Sequence, residues 1–159
     1  MAGVKIYDTA VAPEWIDYNG HLRDGYYTVI FSSAIDALMD RVGLDEAYRR
    51  RTGCTLYTLE MHLHFLHEVK QSDALSVQVR VLALDRKRIH AALEMYTLRQ
   101  SEPVASCEVM LLHVSQQPEP RAAAFPAAIT SALEQLREMS GALPAAAPGS
   151  RAIELRSRA

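Results

Sequence analysis

The hydrophobic pattern changes period once along the chain, and that single change limits the folds open to it. Between residues 27 and 42 the apolar positions Tyr27, Ile30, Phe31, Ala34, Ile35, Leu38 and Val42 recur at helical spacing, with Ser32, Asp36 and Asp40 on another face. The pattern then becomes twofold. Tyr57, Leu59, Met61, Leu63 and Phe65 alternate with Thr58, Glu60, His62 and His64, which predicts a long strand with its apolar set on one side. Leu75, Val77, Val79 and Val81 repeat the alternation, and so do Ile89, Ala91, Leu93 and Met95. A last long strand is predicted over about 104–114, where Val109 and Leu111 are out of phase with Met110 and Leu112, so both of its faces should be covered. The polar connections at 70–73, 85–88 and 100–103 are short, which predicts antiparallel neighbours in a meander. One long apolar helix and one curved antiparallel sheet are best satisfied by an α+β fold with the helix against the concave face.

The flanking segments fit around that unit. Residues 4–11 read as a first strand ending at Ala12-Pro13. Asp24 can cap the long helix and Gly43 can end it in the left-handed conformation, with further helical turns over 45–51 closed by Thr52-Gly53. Pro118-Glu119-Pro120 should end the sheet, and Ile129, Leu133 and Leu136 mark a peripheral helix over 127–139. We expect one domain over residues 1–140 and an Ala/Pro-rich tail over 141–159, either mobile or strapped over a partner subunit. The 159 residues are 49% hydrophobic, enough to close a single core. A net charge of -2 and a pI near 6.3 argue against a dedicated nucleic-acid binder. Two cysteines, Cys54 and Cys107, suit a reducing compartment better than a disulfide framework. No basic-then-apolar leader opens the sequence and no apolar run approaches the roughly 18 residues of a membrane span, so a cytoplasmic protein without membrane contact is expected.

Chemistry concentrates in Pro13-Glu14-Trp15-Ile16-Asp17-Tyr18-Asn19-Gly20-His21. Asp17, Asn19 and His21 bring a carboxylate, an amide and an imidazole into a segment that Pro13 and Gly20 keep irregular. A carboxylate just before a helix lies near unpaired backbone N–H groups, so one site can hold a nucleophile or base and an oxyanion, as acyl transfer requires. Asp17 is the candidate nucleophile or general base, against an alternative as an Asx-turn residue. Asn19 can hold water or accept developing charge, and His21 can orient either partner or meet a sulfur; a turn former and a structural donor are their plain alternatives. The backbone N–H groups of Asp24 and Gly25 are the candidate oxyanion donors.

Two motifs carry a family resemblance: Asp17-Tyr18-Asn19-Gly20-His21 with Tyr26-Tyr27 downstream, and Glu68-Val69-Lys70-Gln71-Ser72-Asp73-Ala74-Leu75-Ser76-Val77. Over residues 4–116 the chain resembles the hotdog-fold acyl-CoA thioesterases of the 4-hydroxybenzoyl-CoA thioesterase-like group. In that group the carboxylate matching Asp17 is catalytic, and plant acyl-carrier thioesterases show a related Asp-x-Asn-x-His pattern, matched here by Asn19 and His21. The resemblance implies hydrolysis of an acyl-CoA with no cofactor and no metal, in a homodimer or homotetramer with sites between subunits. It also implies basic residues for the CoA phosphates, for which Arg86, Lys87 and Arg88 are the compact candidates; their alternative is a charged hairpin tip. Trp15, Tyr18, Tyr26, Tyr27 and Tyr57 are candidates for the acyl pocket, with Glu60 as a second carboxylate. The 13–27 stretch also looks like the betainyl-CoA thioesterases of carnitine breakdown, in which aromatic faces could hold a quaternary ammonium.

Glu60, His62 and His64 have a spacing that could bind zinc, although a polar sheet interface would use the same residues. Two other functions fit the same fold. A hydratase or dehydratase would need a paired acid and base, for which His21 and Asp36 are the available residues, and a non-catalytic acyl-CoA binder would keep the pocket alone.

Overall fold

Strand β1 (Val4–Ala10) is followed by a 3-10 turn (Pro13–Trp15), then α1 (Asp24–Val42), α2 (Glu46–Thr52), β2 (Cys54–Phe65), β3 (Ala74–Leu84), β4 (Arg88–Thr97), β5 (Ala105–Ser115), β6 (Arg121–Ala122) and α3 (Ala127–Ser140). These elements come from a computed structural model that describes residues 3–141, so the expected tail beyond Gly141 lies outside the described residues.

Helix α1 buries the stripe that its sequence marks, Tyr27, Ile30, Phe31, Ala34, Ile35, Leu38 and Val42. It ends as expected. Gly43 adopts φ 85°, and the Gly43 and Leu44 N–H groups close back on the Met39 carbonyl. The N-cap is Arg23 rather than Asp24, because Asp24 already sits in the first turn.

All strand pairs are antiparallel, in the order β1-β3-β4-β5-β2, with β6 beside β5. Strands β3, β4 and β5 form the expected meander, with Leu75, Val77, Val79, Val81, Ile89, Ala91, Leu93, Met95, Cys107, Val109 and Leu111 facing α1 in one cluster.

Four expectations need correction. Strand β2 does not pair with β3; it lies at the far edge against β5, and the 66–73 linker carries the chain across. The linker is long enough because 66–69 belongs to neither strand. The alternation in β2 breaks at a bulge between Thr58 and Glu60, so Leu56, Met61 and Leu63 pack on the core whereas Leu59 is 55% exposed and Tyr57 is 37% exposed. Pro118 and Pro120 do not end the sheet, since β6 pairs Ala122 with Val114 immediately afterwards. Finally, α3 is not peripheral: Ile129, Leu133 and Leu136 join the main core, and Ile129 meets Gly43.

A buried polar contact fixes the α2 end of the molecule. His113, 1% exposed, has Nδ1 at 3.0 Å from the Ala123 carbonyl, so Nδ1–H donates, and the tautomer that donates there presents Nε2 as an acceptor, 3.0 Å from the Tyr48 hydroxyl. Replacing Tyr48 by Phe strands that nitrogen. We expect a loss of about 1–3 kcal/mol, measured by urea unfolding, and a variant as stable as the parent would show that the pair contributes nothing.

Candidate active site

The Asp17 segment is a tight turn docked on the linker. Asp17 N–H donates to the His21 carbonyl (2.8 Å), Gly20 N–H donates to the Asp17 carbonyl (3.0 Å), and Gly20 takes φ 79°, a conformation that glycine adopts without strain. Leu22 N–H donates to the Val69 carbonyl (2.8 Å) and His21 bridges Lys70, so the turn is stitched to the strand-like end of the linker. The linker is braced in turn. Asp73 accepts from Lys70 N–H (2.8 Å) and from the Arg99 guanidinium, and Arg99 also donates to the Glu68 carbonyl (3.3 Å). These contacts hold the Asp73 carboxyl below its usual range against the opposing effect of burial, which is the largest single influence.

Within the turn, the Asp17 carboxylate has two distinct oxygens. Oδ1 accepts from the Asn19 N–H (2.8 Å) and the His21 N–H (3.1 Å), an Asx-type arrangement, whereas Oδ2 has no partner among the described residues. The turn reading and an open carboxylate are therefore compatible. Asp17 lines a cleft of about 760 Å³ together with Tyr18, His21, Leu22, Arg23 and Asp24 from the turn and helix start, Tyr27 from α1, and Phe65, Leu66, His67 and Glu68 from the end of β2 and the linker. His21 Nε2 lies 3.1 Å from Glu68 Oε2. Tyr27 meets Phe65 edge-on with ring centroids 5.0 Å apart.

Over residues 11–133 the sequence matches the family model of the Thioesterase-like superfamily. A betainyl-CoA thioesterase of Pseudomonas aeruginosa is 47% identical over 138 residues, covering 87% of this chain and 86% of that protein. The chain belongs to the thioesterase-like superfamily. An L-carnitine dehydrogenase/betainyl-CoA thioesterase of Agrobacterium fabrum is 38% identical across 96% of this chain, which spans 31% of that longer protein. Among solved structures, one from Pseudomonas putida KT2440 with a provisional thioesterase assignment superposes with a TM-score of 0.84 at 39% identity, covering 99% of both chains. A Staphylococcus aureus protein solved in complex with CoA gives a TM-score of 0.85 at 26% identity, over 97% of this chain and 98% of that one. The half-barrel around α1 is thus the hotdog fold, and the protein is an acyl-CoA thioesterase.

The cleft gathers only part of the residue set marked in the sequence. Asp17, Tyr18, His21, Asp24 and Tyr27 line it; Asn19 and Gly25 do not. Asn19 occupies the exposed turn, and the Gly25 N–H donates to Asp24 Oδ1 (2.8 Å), so of the two expected backbone donors only that of Asp24 is not so engaged. Trp15 and Tyr26 stack on each other at 5.4 Å beside the cleft rather than within its wall. Tyr57 and Glu60 belong to edge strand β2 and do not reach this chain's cleft; Glu60 instead pairs with His62 at 2.8 Å. Among the described residues no group of three His, Cys, Asp or Glu side chains is arranged to hold a metal. Asp36 lines a different hollow beside α2, so within one chain it is separated from His21, the partner that a hydratase reading had given it.

Arg86 and Lys87 line a separate hollow with Asp85, Ala122 and Ala124, at the β3–β4 tip. Arg88 is engaged there by Asp85 (2.6 Å), whose carboxyl is lowered to about 2 by the Lys87 N–H first and the Arg88 side chain next. Leu22, Arg23, Phe65, Leu66, His67 and Glu68 are the cleft residues that pattern reading missed. The signal available was the break in alternation after Phe65, where Leu66 follows an apolar neighbour and two polar residues come next.

Burial pushes the Tyr27 phenol up to about 12, with Asp17, Asp73 and Glu68 adding to the shift and a Val69 backbone hydrogen bond opposing it. Tyr27 therefore stays a neutral O–H donor beside the carboxylates. Burial likewise raises Tyr96 and Cys107 to about 12, with Glu94 and Glu108 respectively adding to it. Folded values above the ordinary 10.0 and 9.0 mean that the folded state holds these protons more tightly. This stability is complete below about pH 9 and is lost as pH rises toward about 12. A thermal midpoint that fails to fall across that window, with Tyr ionisation followed by ultraviolet absorbance, would contradict the assignment.

Proposed function

We propose that this acyl-CoA thioesterase acts on acyl groups bearing a fixed positive charge, betainyl-CoA first among them, in a cytoplasmic homo-oligomer. The observation that carries this reading is the charge of the cleft. Asp17, Asp24 and Glu68 face a single guanidinium, Arg23, beside the rings of Tyr18, Tyr27 and Phe65. Such a surface repels the phosphates of CoA and suits a quaternary ammonium, which aromatic faces and carboxylates attract together. The 47% identity to a betainyl-CoA thioesterase supports the same substrate.

In the reaction proposed, Asp17 acts through its open oxygen, either removing a proton from water or attacking the thioester carbonyl itself. A thiolate departs without a strong acid, so one carboxylate suffices. The backbone of Asp24 at the α1 start and the neutral Tyr27 hydroxyl are the donors available to the carbonyl oxygen, and His21 attends the sulfur.

The CoA phosphates require cations elsewhere. Arg86 and Lys87 lie at the opposite end of β3, about 33 Å along the strand from its Asp73 end. That is longer than an extended pantetheine arm, so one chain does not supply both ends of a site. A second copy resolves the mismatch. Strand β2 is an open sheet edge with Leu59 and Phe65 exposed, and Tyr57, Leu112 and Arg88 lie in one cross-strand row. Antiparallel pairing of two β2 edges would bring the second copy's tip toward the Phe65 end of the first.

The deciding experiment compares betainyl-CoA with 3,3-dimethylbutyryl-CoA, its uncharged isostere. We expect kcat/KM to favour the charged substrate by about tenfold or more, equivalent to about 1.4 kcal/mol. Equal values would remove charge from the specificity. Saturable binding of both without thiol release would favour a binding protein instead.

A further inference from the structure

We propose that Arg99 is a positioning residue for Asp17, fixing the separation of the two points on the linker to which the Asp17 segment is tied. This rests on the reading that puts Asp17 at the thioester. Arg99 lies in the β4–β5 connection, outside the cleft wall, so it acts only through other residues.

The segment from Val11 to Leu22 is held to the linker at both of its ends. At its start the Val11 N–H donates to the Asp73 carbonyl (3.1 Å). At its end the Leu22 N–H donates to the Val69 carbonyl (2.8 Å), and His21 bridges Lys70. Between these ends the turn has little packing of its own, because Tyr18, Asn19 and Gly20 are exposed and Asp17 is only half-buried. The Arg23 N–H closes the segment on itself at the Trp15 carbonyl (2.9 Å), which shapes the turn without setting it against the linker. The place of the Asp17 carboxylate therefore follows the two tie points.

Arg99 is the side chain that joins them. Its Nε donates to Asp73 Oδ1 (2.9 Å), and its Nη2 donates both to Asp73 Oδ2 and to the Glu68 carbonyl (3.3 Å), one residue before Val69. Asp73 Oδ2 also accepts from the Lys70 N–H (2.8 Å), and the Asp73 N–H donates to the Lys70 carbonyl (3.2 Å). The carboxylate that Arg99 grips is thus the one that closes the 70–73 turn. Ser72 takes φ 65° in that turn, a left-handed conformation that costs a residue with a side chain energy and persists where the surroundings impose it. A planar guanidinium reaches two carboxylate oxygens and a carbonyl from one rigid group, which a lysine ammonium does not reproduce. The effect carries to the chemistry because displacing a reacting group by about 1 Å can cost about 10²-fold in rate.

Amide hydrogen exchange and initial rates on Arg99→Met and Arg99→Lys test this. The Arg99 side chain is 47% exposed and is no part of the core, so both variants should fold. In Arg99→Met we expect faster exchange at the Val11 and Leu22 N–H groups and unchanged exchange at Ile30 and Phe31 in α1. We also expect kcat to fall on the order of tenfold with KM nearly unchanged. Arg99→Lys keeps the charge without the fork and should resemble Arg99→Met. If Lys restores the parent rate, charge and not geometry is the cause, and the proposal is overturned. A lowered thermal midpoint with kcat intact overturns it as well, and so does unaltered exchange at Val11 and Leu22. Asp17→Asn, assayed in parallel, tells the two readings apart: if that variant keeps its kcat, the assignment of Asp17 has failed, and exchange at Val11 and Leu22 decides whether Arg99 fixes the segment.

Discussion

Asp17→Asn is expected to lower kcat on a good acyl-CoA substrate by about 10²–10⁴-fold while leaving the fold and the thermal midpoint nearly unchanged. The two effects separate because the two oxygens of Asp17 have different tasks. Oδ1 receives the Asn19 and His21 N–H groups, and the amide oxygen of Asn can receive the same pair. What Asn cannot do is remove a proton from water or attack a carbonyl with its second terminal atom, which becomes an NH₂ donor. Asp17→Ala is a poorer test, since it also releases the turn. Initial rates of thiol release and a melting curve on the same preparation suffice. A kcat within twofold of the parent would reduce Asp17 to a turn anchor. If activity is lost, a single turnover of the parent in ¹⁸O-water tests the nucleophilic route: label in the aspartate side chain requires attack by Asp17 and opening of the resulting anhydride at its own carbonyl, whereas label confined to the released acid is the outcome of general-base catalysis or of opening at the acyl carbonyl.

How much of this was legible in the sequence depended on whether a signal was local. Helix α1 was readable to within its caps, because seven apolar residues at helical spacing and a C-terminal glycine are short-range facts. The meander from β3 to β5 was readable for the same reason, its turns being too short to do anything else. The place of β2 was not. Its alternation specified a strand but not a neighbour, and the bulge at 58–60, a tertiary feature, moved Tyr57 off the face that Met61 and Leu63 share.

The cleft divides along the same line. Asp17 and His21 were visible as polar residues in an irregular segment next to a strong helix, whereas Glu68 becomes part of the cleft only because the linker returns beside that segment, fifty positions later in the chain. Asn19 shows the converse. Its side-chain chemistry suited the site, but in the turn closed by Gly20 it is the Asn19 backbone N–H that serves, donating to Asp17 Oδ1.

The largest effect on stability is expected far from the cleft, on the sheet face that turns away from α1. Arg80 lies between the core residues Val79 and Val81, yet its side chain is only 4% exposed and its partner Glu94 only 8%, with Nε at 3.2 Å from Oε2. Arg80 also donates to the Ser140 carbonyl (2.8 Å), and Ser140 Oγ accepts from the Val81 N–H (3.3 Å), so the pair anchors the end of α3 to β3. Charges this well shielded are costly to bring out of water, and their attraction offsets that cost only while both are present. Arg80→Met would leave the Glu94 carboxylate buried without its guanidinium. We expect about 3–5 kcal/mol of destabilisation, or on the order of 10 °C in the thermal midpoint. Replacing both residues, Arg80→Met with Glu94→Leu, removes the stranded charge and should recover much of that loss, falling short of the parent because the Ser140 carbonyl has lost its Arg80 donor. Chemical unfolding of the single and double variants gives the coupling directly. If the double variant is destabilised by the sum of the two single losses, the pair acts through α3 alone and not through its charge.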